Sequence, residues 1–174
     1  MSSEDDVQKD WFDWAGSFLA DREVRDTEWR SSFSESAQQV LELATQAALS
    51  LKHDAVGAEH LLAGVLKLNS GHAAAALRRA GLTLPSLREE IESERGVSGQ
   101  NMVKRPIPYT PRCKGIIQRA RARIRGLGNV RVEVEDLLLE LLAEKDGLPA
   151  KIFCKRAINV EEIKSAVMTK AHEQ

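Results

Sequence analysis

Two carboxylates, Glu59 and Glu135, stand just inside the start of apolar runs, Glu59-His60-Leu61-Leu62 and Glu135-Asp136-Leu137-Leu138. A carboxylate so placed can accept a planar guanidinium through two parallel hydrogen bonds. The free N–H groups that open a helix can hold an anion beside it. The plainer role is to complement the positive end of a helix dipole. Hydroxyls at Ser34 and Thr110 are placed to cap helices, and Pro111 follows Thr110 at the position where a missing N–H costs nothing.

Other chemistry does not assemble. His60 and His72 have no partner at metal-ligand spacing and read as structural or surface residues, so no metal is expected. Cys113 and Cys154 read as small buried thiols in a reducing compartment. No CxxC, HExxH, GxSxG or phosphate-binding loop occurs. No nucleophile, base and orienting group come together, so neither catalysis nor a cofactor is expected. The run Arg119-Ala120-Arg121-Ala122-Arg123-Ile124-Arg125 puts Arg119 and Arg123 on one helix face and Arg121 and Arg125 nearly opposite. Charge split in this way suits a solvated or partner-facing surface better than a nucleic-acid groove.

The elements that position the two carboxylates form a repeat. Laying Tyr109 over Phe33 without gaps matches Val132 with Val56, Glu135 with Glu59, Leu137 and Leu138 with Leu61 and Leu62, and Leu142 with Leu66. Gly147 and Ala150 fall on Gly71 and Ala74, and the apolar register holds through Ile91 and Val167. Two copies of one supersecondary unit account for this. In copy one, a first helix runs from Ser34 to about Leu51 with Val40, Leu41, Ala44 and Ala48 on one face. A second carries Glu59 and ends near Asn69-Ser70-Gly71, a third spans 72–80 before Gly81, and a fourth follows Thr83 and fades by Arg95-Gly96. Copy two repeats them over 110–127, 134–145, 148–156 and 160–171. The domain boundaries are therefore 33–95 and 109–174, joined by 96–108, GVSGQNMVKRPIP, a linker rich in Gly and Pro. The fold class is all-α, two pseudo-symmetric four-helix repeats packed across a shared apolar interface.

Residues 1–32 precede the repeats as an extension with an amphipathic helix. Trp11, Trp14 and Phe18 lie on its narrow apolar stripe. That stripe is expected to dock on the repeats or to anchor a partner or a second copy of the chain.

Charge is balanced, with 25 Lys and Arg against 26 Asp and Glu, which argues against general polyanion binding. No stretch approaches the roughly 20 apolar residues of a membrane span. The start, MSSEDDVQKD, is acidic and carries no export or organelle address, so a cytoplasmic location is expected.

With this register the chain resembles the amino-terminal repeat domain of Clp-type AAA+ unfoldases, of the ClpC and ClpA kind. The family motif is an aromatic followed by Thr, a helix, then Gly-Thr-Glu-His-Leu-Leu and a short Gly-Leu-Leu. Copy one shows Phe33-Ser34-Glu35 and Gly57-Ala58-Glu59-His60-Leu61-Leu62-Ala63-Gly64-Val65-Leu66. Copy two shows Tyr109-Thr110-Pro111-Arg112 and Glu133-Val134-Glu135-Asp136-Leu137-Leu138. The resemblance covers about residues 33 to 170. It implies phosphoarginine or an arginine-bearing segment as ligand at Glu59 and Glu135, beside Ser34 and Thr110. Where the family places Thr at the helix cap, Ala58 and Val134 stand, and neither side chain can cap. The unfoldase ATPase modules have no counterpart in these residues. The resemblance thus implies a non-catalytic binding protein, an adaptor, decoy or accessory factor in ATP-dependent Clp proteolysis. Its expected partners are Clp ATPase or protease subunits and substrate proteins. The alternatives are a structural accessory subunit docking on a Clp protease ring and a nucleic-acid-binding regulator working through the Arg helix.

Overall fold

The computed structural model describes residues 31–96, 107–128 and 131–171. Trp11, Trp14 and Phe18, with the helix expected to carry them, lie outside the described residues, as does most of the connection over 96–108.

Eight helices stand in two sets of four among the described residues. Copy one holds α1 (Glu35–Ser50), α2 (Ala58–Leu68), α3 (Gly71–Arg79) and α4 (Leu84–Arg95). Copy two holds α5 (Pro111–Gly126), α6 (Val134–Leu142), α7 (Leu148–Lys155) and α8 (Val160–Ala171). None of them is long and apolar enough to cross a membrane.

Local chemistry sets the ends. Ser34 Oγ accepts the Ala37 N–H at 3.2 Å and opens α1. Thr110 Oγ1 accepts the Cys113 N–H at 3.2 Å and opens α5, with Pro111 in the first turn. Thr83 and Ser86 exchange side-chain bonds with each other's backbone N–H, a closed box that starts α4. Helix α6 ends at Leu142, short of the expected 145. There the Ala143 and Glu144 N–H groups turn back onto Leu139 and Leu141, and the Glu144 carboxylate is drawn to Arg112 and Arg119.

Helix α2 is buried on every side from Ala58 to Leu66, as a helix at the centre of a fold must be. It packs on α6, its counterpart, and each also reaches into the other copy, α2 onto α5 and α7, α6 onto α1 and α3. One apolar core runs through both copies. Leu41, Leu61, Leu62 and Leu77 meet Ile116, Ile117, Leu137 and Leu138, all fully buried, at about 1.5–3 kcal/mol for each large side chain withdrawn from water.

The pairing between copies is reciprocal. Phe33 bridges Val132, and Tyr109, the repeat mate of Phe33, bridges Val56, the repeat mate of Val132. The Ser34 N–H donates to Val132 O at 2.9 Å, and the Thr110 N–H donates to Val56 O at 2.9 Å. The Val132 N–H returns to Ser32 O at 2.8 Å, and the Val56 N–H returns to Pro108 O at 2.8 Å. Such exchange is the signature of an approximate two-fold axis between α2 and α6. Glu90 of α4 adds ion pairs across the copies, to Lys155 at 2.6 Å and Arg156 at 3.2 Å.

The cysteines part company. Cys113 is buried on α5, but Cys154 is exposed and not a core thiol. On the short α7, Ile152 and Phe153 take the inward positions and leave Cys154 facing out.

Candidate functional site

The cap of α2 is Gly57, not Ala58, which is already the first helical residue. Gly57 has no side chain to offer, so the cap works from the other end. His60, three residues on, reaches back and its Nδ1 accepts the Gly57 N–H at 2.8 Å. In copy two the Asp136 Oδ2 accepts the Glu133 N–H at 2.8 Å in the same way. In each copy the third helical residue thus satisfies the backbone N–H of the cap residue, one half of a capping box.

Gly57 also makes room. A β-carbon there would lie 2.5 Å from both carboxylate oxygens of Glu59. Glycine lets Glu59 curl back over its own helix start, where it is buried at 5% exposure and meets the positive dipole end. Its acceptor is filled by the Arg95 guanidinium, which donates through Nη1 to Glu59 Oε1. The Arg95 side chain is 40% exposed against 7% for that of Glu59.

A second thread joins the same two helix ends. His60 Nε2 lies 2.8 Å from His53 Nδ1, and His53 Nε2 lies 2.9 Å from the Gly96 carbonyl. The ends of this chain are fixed, an N–H at Gly57 and a C=O at Gly96. Both rings are therefore neutral and carry their proton on Nε2, so His60 donates to His53 and His53 donates to Gly96. The His60 pKa is lowered to about 4: burial is the largest cause, attraction from Glu59 opposes it, and His53 and Arg95 add to the lowering. His60 is thus a structural residue, as expected; His72 is exposed.

Glu59 and Arg95 form one wall of a cleft of about 500 Å³ between the copies. Copy two supplies the facing wall with Thr110, Arg112, Gly147 and Lys151. The hydroxyl that shares the cleft with Glu59 is that of Thr110, brought across by the bond from the Thr110 N–H to Val56 O. Ser34 is tied instead to Val132 of copy two. The Thr110 oxygen accepts the Cys113 N–H, which leaves its proton to donate. Arg112 lies over Gly147, where a β-carbon would come within 3.1 Å of its Cδ and Nε. It is held there by Glu144 at 2.7 Å and the Asp146 carbonyl at 3.0 Å. The cleft thus combines one buried acceptor with several cationic donors.

Glu135 has a different setting. Glu133 replaces Gly57 at the cap, so the space over the helix start is closed to a curled carboxylate. Glu135 is half-buried and extends toward α3, where a β-carbon on Gly71 would lie 3.9 Å from its Oε1. It forms no ion pair among the described residues. In the Arg helix, Arg119 is engaged by Glu140 at 3.2 Å and by Glu144, so part of that charge is already met inside copy two. No cluster of three metal-ligating side chains stands among the described residues.

Sequence reasoning missed Arg95, His53, Arg112 and Lys151. The one signal for Arg95 was asymmetry, since its repeat mate is Ala171. For His53 there was only a second histidine ahead of a helix whose third residue is His60.

A family model described as the Clp repeat (R) N-terminal domain matches residues 32–171. The chain is 37% identical over 136 residues to the negative regulator of genetic competence ClpC/MecB of Bacillus subtilis (strain 168), covering 78% of this chain and 16% of that protein. It is 34% identical over 136 residues to the chaperone protein ClpB of Oceanobacillus iheyensis, covering 78% and 17%. The chain therefore spans about one-sixth of the length of these curated relatives. The fold is similar to the N-terminal domain of the caseinolytic protease associated chaperone ClpD from Arabidopsis thaliana, with a TM-score of 0.65 at 19% identity over 81% of this chain and 95% of that one. The Hsp104 N-terminal domain from Candida albicans gives a TM-score of 0.67 at 18% identity over 82% and 93%.

Proposed function

The chain belongs to the Clp repeat N-terminal domain family, and from that premise we propose that it is a non-catalytic protein-binding module of the Clp system. It takes arginine-bearing or phosphoarginine-bearing segments at its Glu-centred positions and acts as adaptor, decoy or accessory factor in Clp-dependent proteolysis. Its partners are Clp ATPase or protease subunits and substrate proteins.

One contact carries the reading: Glu59 already receives a guanidinium, that of Arg95. The carboxylate is desolvated, which strengthens a charge-assisted bond. An anionic Glu repels a phosphoryl group, so donors are needed across the cleft. The Thr110 hydroxyl, Arg112 and Lys151 line it there.

Calorimetric titration of phosphoarginine into the wild type and into Glu59→Ala with Glu135→Ala tests this. The wild type is expected to bind, and the double variant to lose about tenfold to hundredfold in affinity, the worth of a charge-assisted hydrogen bond. No binding by the wild type, or equal binding by both, would remove the ligand from the account. Gly57→Ala sharpens the test, since it displaces the Glu59 carboxylate without deleting it.

A further inference from the structure

We propose that Arg95 is a built-in competitor, a guanidinium of the chain itself that occupies the Glu59 acceptor and keeps the copy-one cleft closed to incoming arginine groups until it is displaced. The inference rests on the binding reading above and adds its regulation.

Three observations carry it. The Arg95 guanidinium bonds to the buried carboxylate that the reading assigns to the ligand. A guanidinium from outside that bonds both carboxylate oxygens would need Oε1 as well, so that two-point bond and the Arg95 contact exclude each other. The contact is also fastened at its backbone. Arg95 ends α4, and the next carbonyl, that of Gly96, is held by His53, then by His60, then by the Gly57 N–H beside Glu59. The end of α4 is thus tied twice to the start of α2. Finally, the plug is releasable and belongs to one copy. The Arg95 side chain is 40% exposed, and Ala171 stands at the equivalent place in copy two, where Glu135 forms no ion pair among the described residues.

A competitor that fills an acceptor lowers apparent affinity by the fraction of time the acceptor is open. An arginine in place about nine-tenths of the time weakens the site about tenfold. The two copies then differ as sites, with Glu135 filled first and Glu59 filled after Arg95 has left.

The test uses the full chain and free phosphoarginine as probe. Glu135→Gln isolates copy one, and in that background Arg95→Ala is compared with Arg95. Arg95→Gln is the second variant, because it keeps a polar side chain at the end of α4 without a guanidinium and so guards against loss of fold. Affinity is expected to rise on the order of tenfold in Arg95→Ala, with a smaller rise in Arg95→Gln. Arg88→Ala on the same helix, which breaks only the exposed pair with Glu92, is expected to change nothing. Equal affinity with and without Arg95 overturns the inference and leaves the binding reading standing. So does binding at Glu135 alone, seen in Glu59→Gln, with no copy-one site in Arg95→Ala. Absence of binding at either copy in every variant sinks the binding reading, and the inference with it.

Discussion

Copy one brings α1 against α2 through Gly64, where a β-carbon would lie 2.5 Å from the Val40 carbonyl and 3.0 Å from the Ala44 nitrogen. Copy two has Glu140 at the same repeat position, and there α5 meets α6 through the pairing of Arg119 with Glu140 and Glu144. The same helix pair is thus joined by backbone contact in one copy and by side-chain charge in the other. The two equivalent carboxylates differ in a parallel way. Gly57 lets Glu59 fold inward beneath Arg95, whereas Glu133 leaves Glu135 half-exposed. Small residues made copy one tight, and larger charged residues opened copy two, without any change in the order of helices.

The largest expected break in this comparison is made with pH. His60 has an ordinary value of 6.5 lowered to about 4, so the unfolded chain takes up the proton first. Its contribution is complete above about pH 6.5 and is lost as pH falls toward 4, on the order of 3 kcal/mol in all. His60→Gln keeps an acceptor for Gly57 and a donor for His53 but does not titrate. Urea midpoints at pH 7 and pH 4.5 are expected to fall much further in the wild type than in this variant; parallel falls would disprove the neutral relay. The copy-two counterpart has the opposite slope. Burial is the main cause that raises the Asp136 pKa, with like charge from Glu133 and Glu135 adding to it against the Glu133 N–H and Arg123. Its contribution is present at low pH and lost as pH rises through the raised value. Asp136→Asn is expected to remove that slope.

Next in size is the helix crossing. Gly64→Ala is expected to cost about 2 kcal/mol by forcing α1 from α2, despite the better helix propensity of Ala. Glu140→Ala, at the same place in copy two, is expected to cost less than about 1 kcal/mol, because it removes only a half-exposed ion pair. Denaturant midpoints that move equally would erase the distinction between the crossings.

The smallest effect sharpens the comparison at the turn after the third helix of each copy. Gly81 has φ of +87° and its mate Ala157 has φ of +51°. The left-handed conformation suits glycine and strains alanine. Ala157→Gly is expected to stabilise by about 1 kcal/mol and Gly81→Ala to destabilise by a similar amount, read as opposite shifts in Tm.

Much of the frame was legible because it is written locally and twice. Ser34, Thr83, Thr110, Pro111 and Gly81 each signal an end within a turn of themselves, and the repeat register allowed each apolar face to be checked against a second copy. The interior of the site was less legible. Arg95 meets Glu59 across 36 positions, and no local period encodes such a contact. Thr110 reaches the cleft of Glu59 only because the copies exchange their leading segments, which register alone does not reveal. Cys154 misled because thiol chemistry favours burial, while on the short α7 it is Pro149, Ile152 and Phe153 that turn inward.

The exchanged bridges of Phe33 with Val132 and Tyr109 with Val56 reach beyond packing. Each copy completes the other with the same surface, which is the geometry of a closed symmetric dimer. A half-length chain bearing one copy would find its missing half in a second molecule. Such a dimer, encoded once, must carry every substitution on both sides of its axis. Covalent joining lifts that rule, so that a residue such as Arg95 can be given to one half and withheld from the other. Joining in one chain allows what symmetry forbids, two equivalent carboxylate positions with different neighbours.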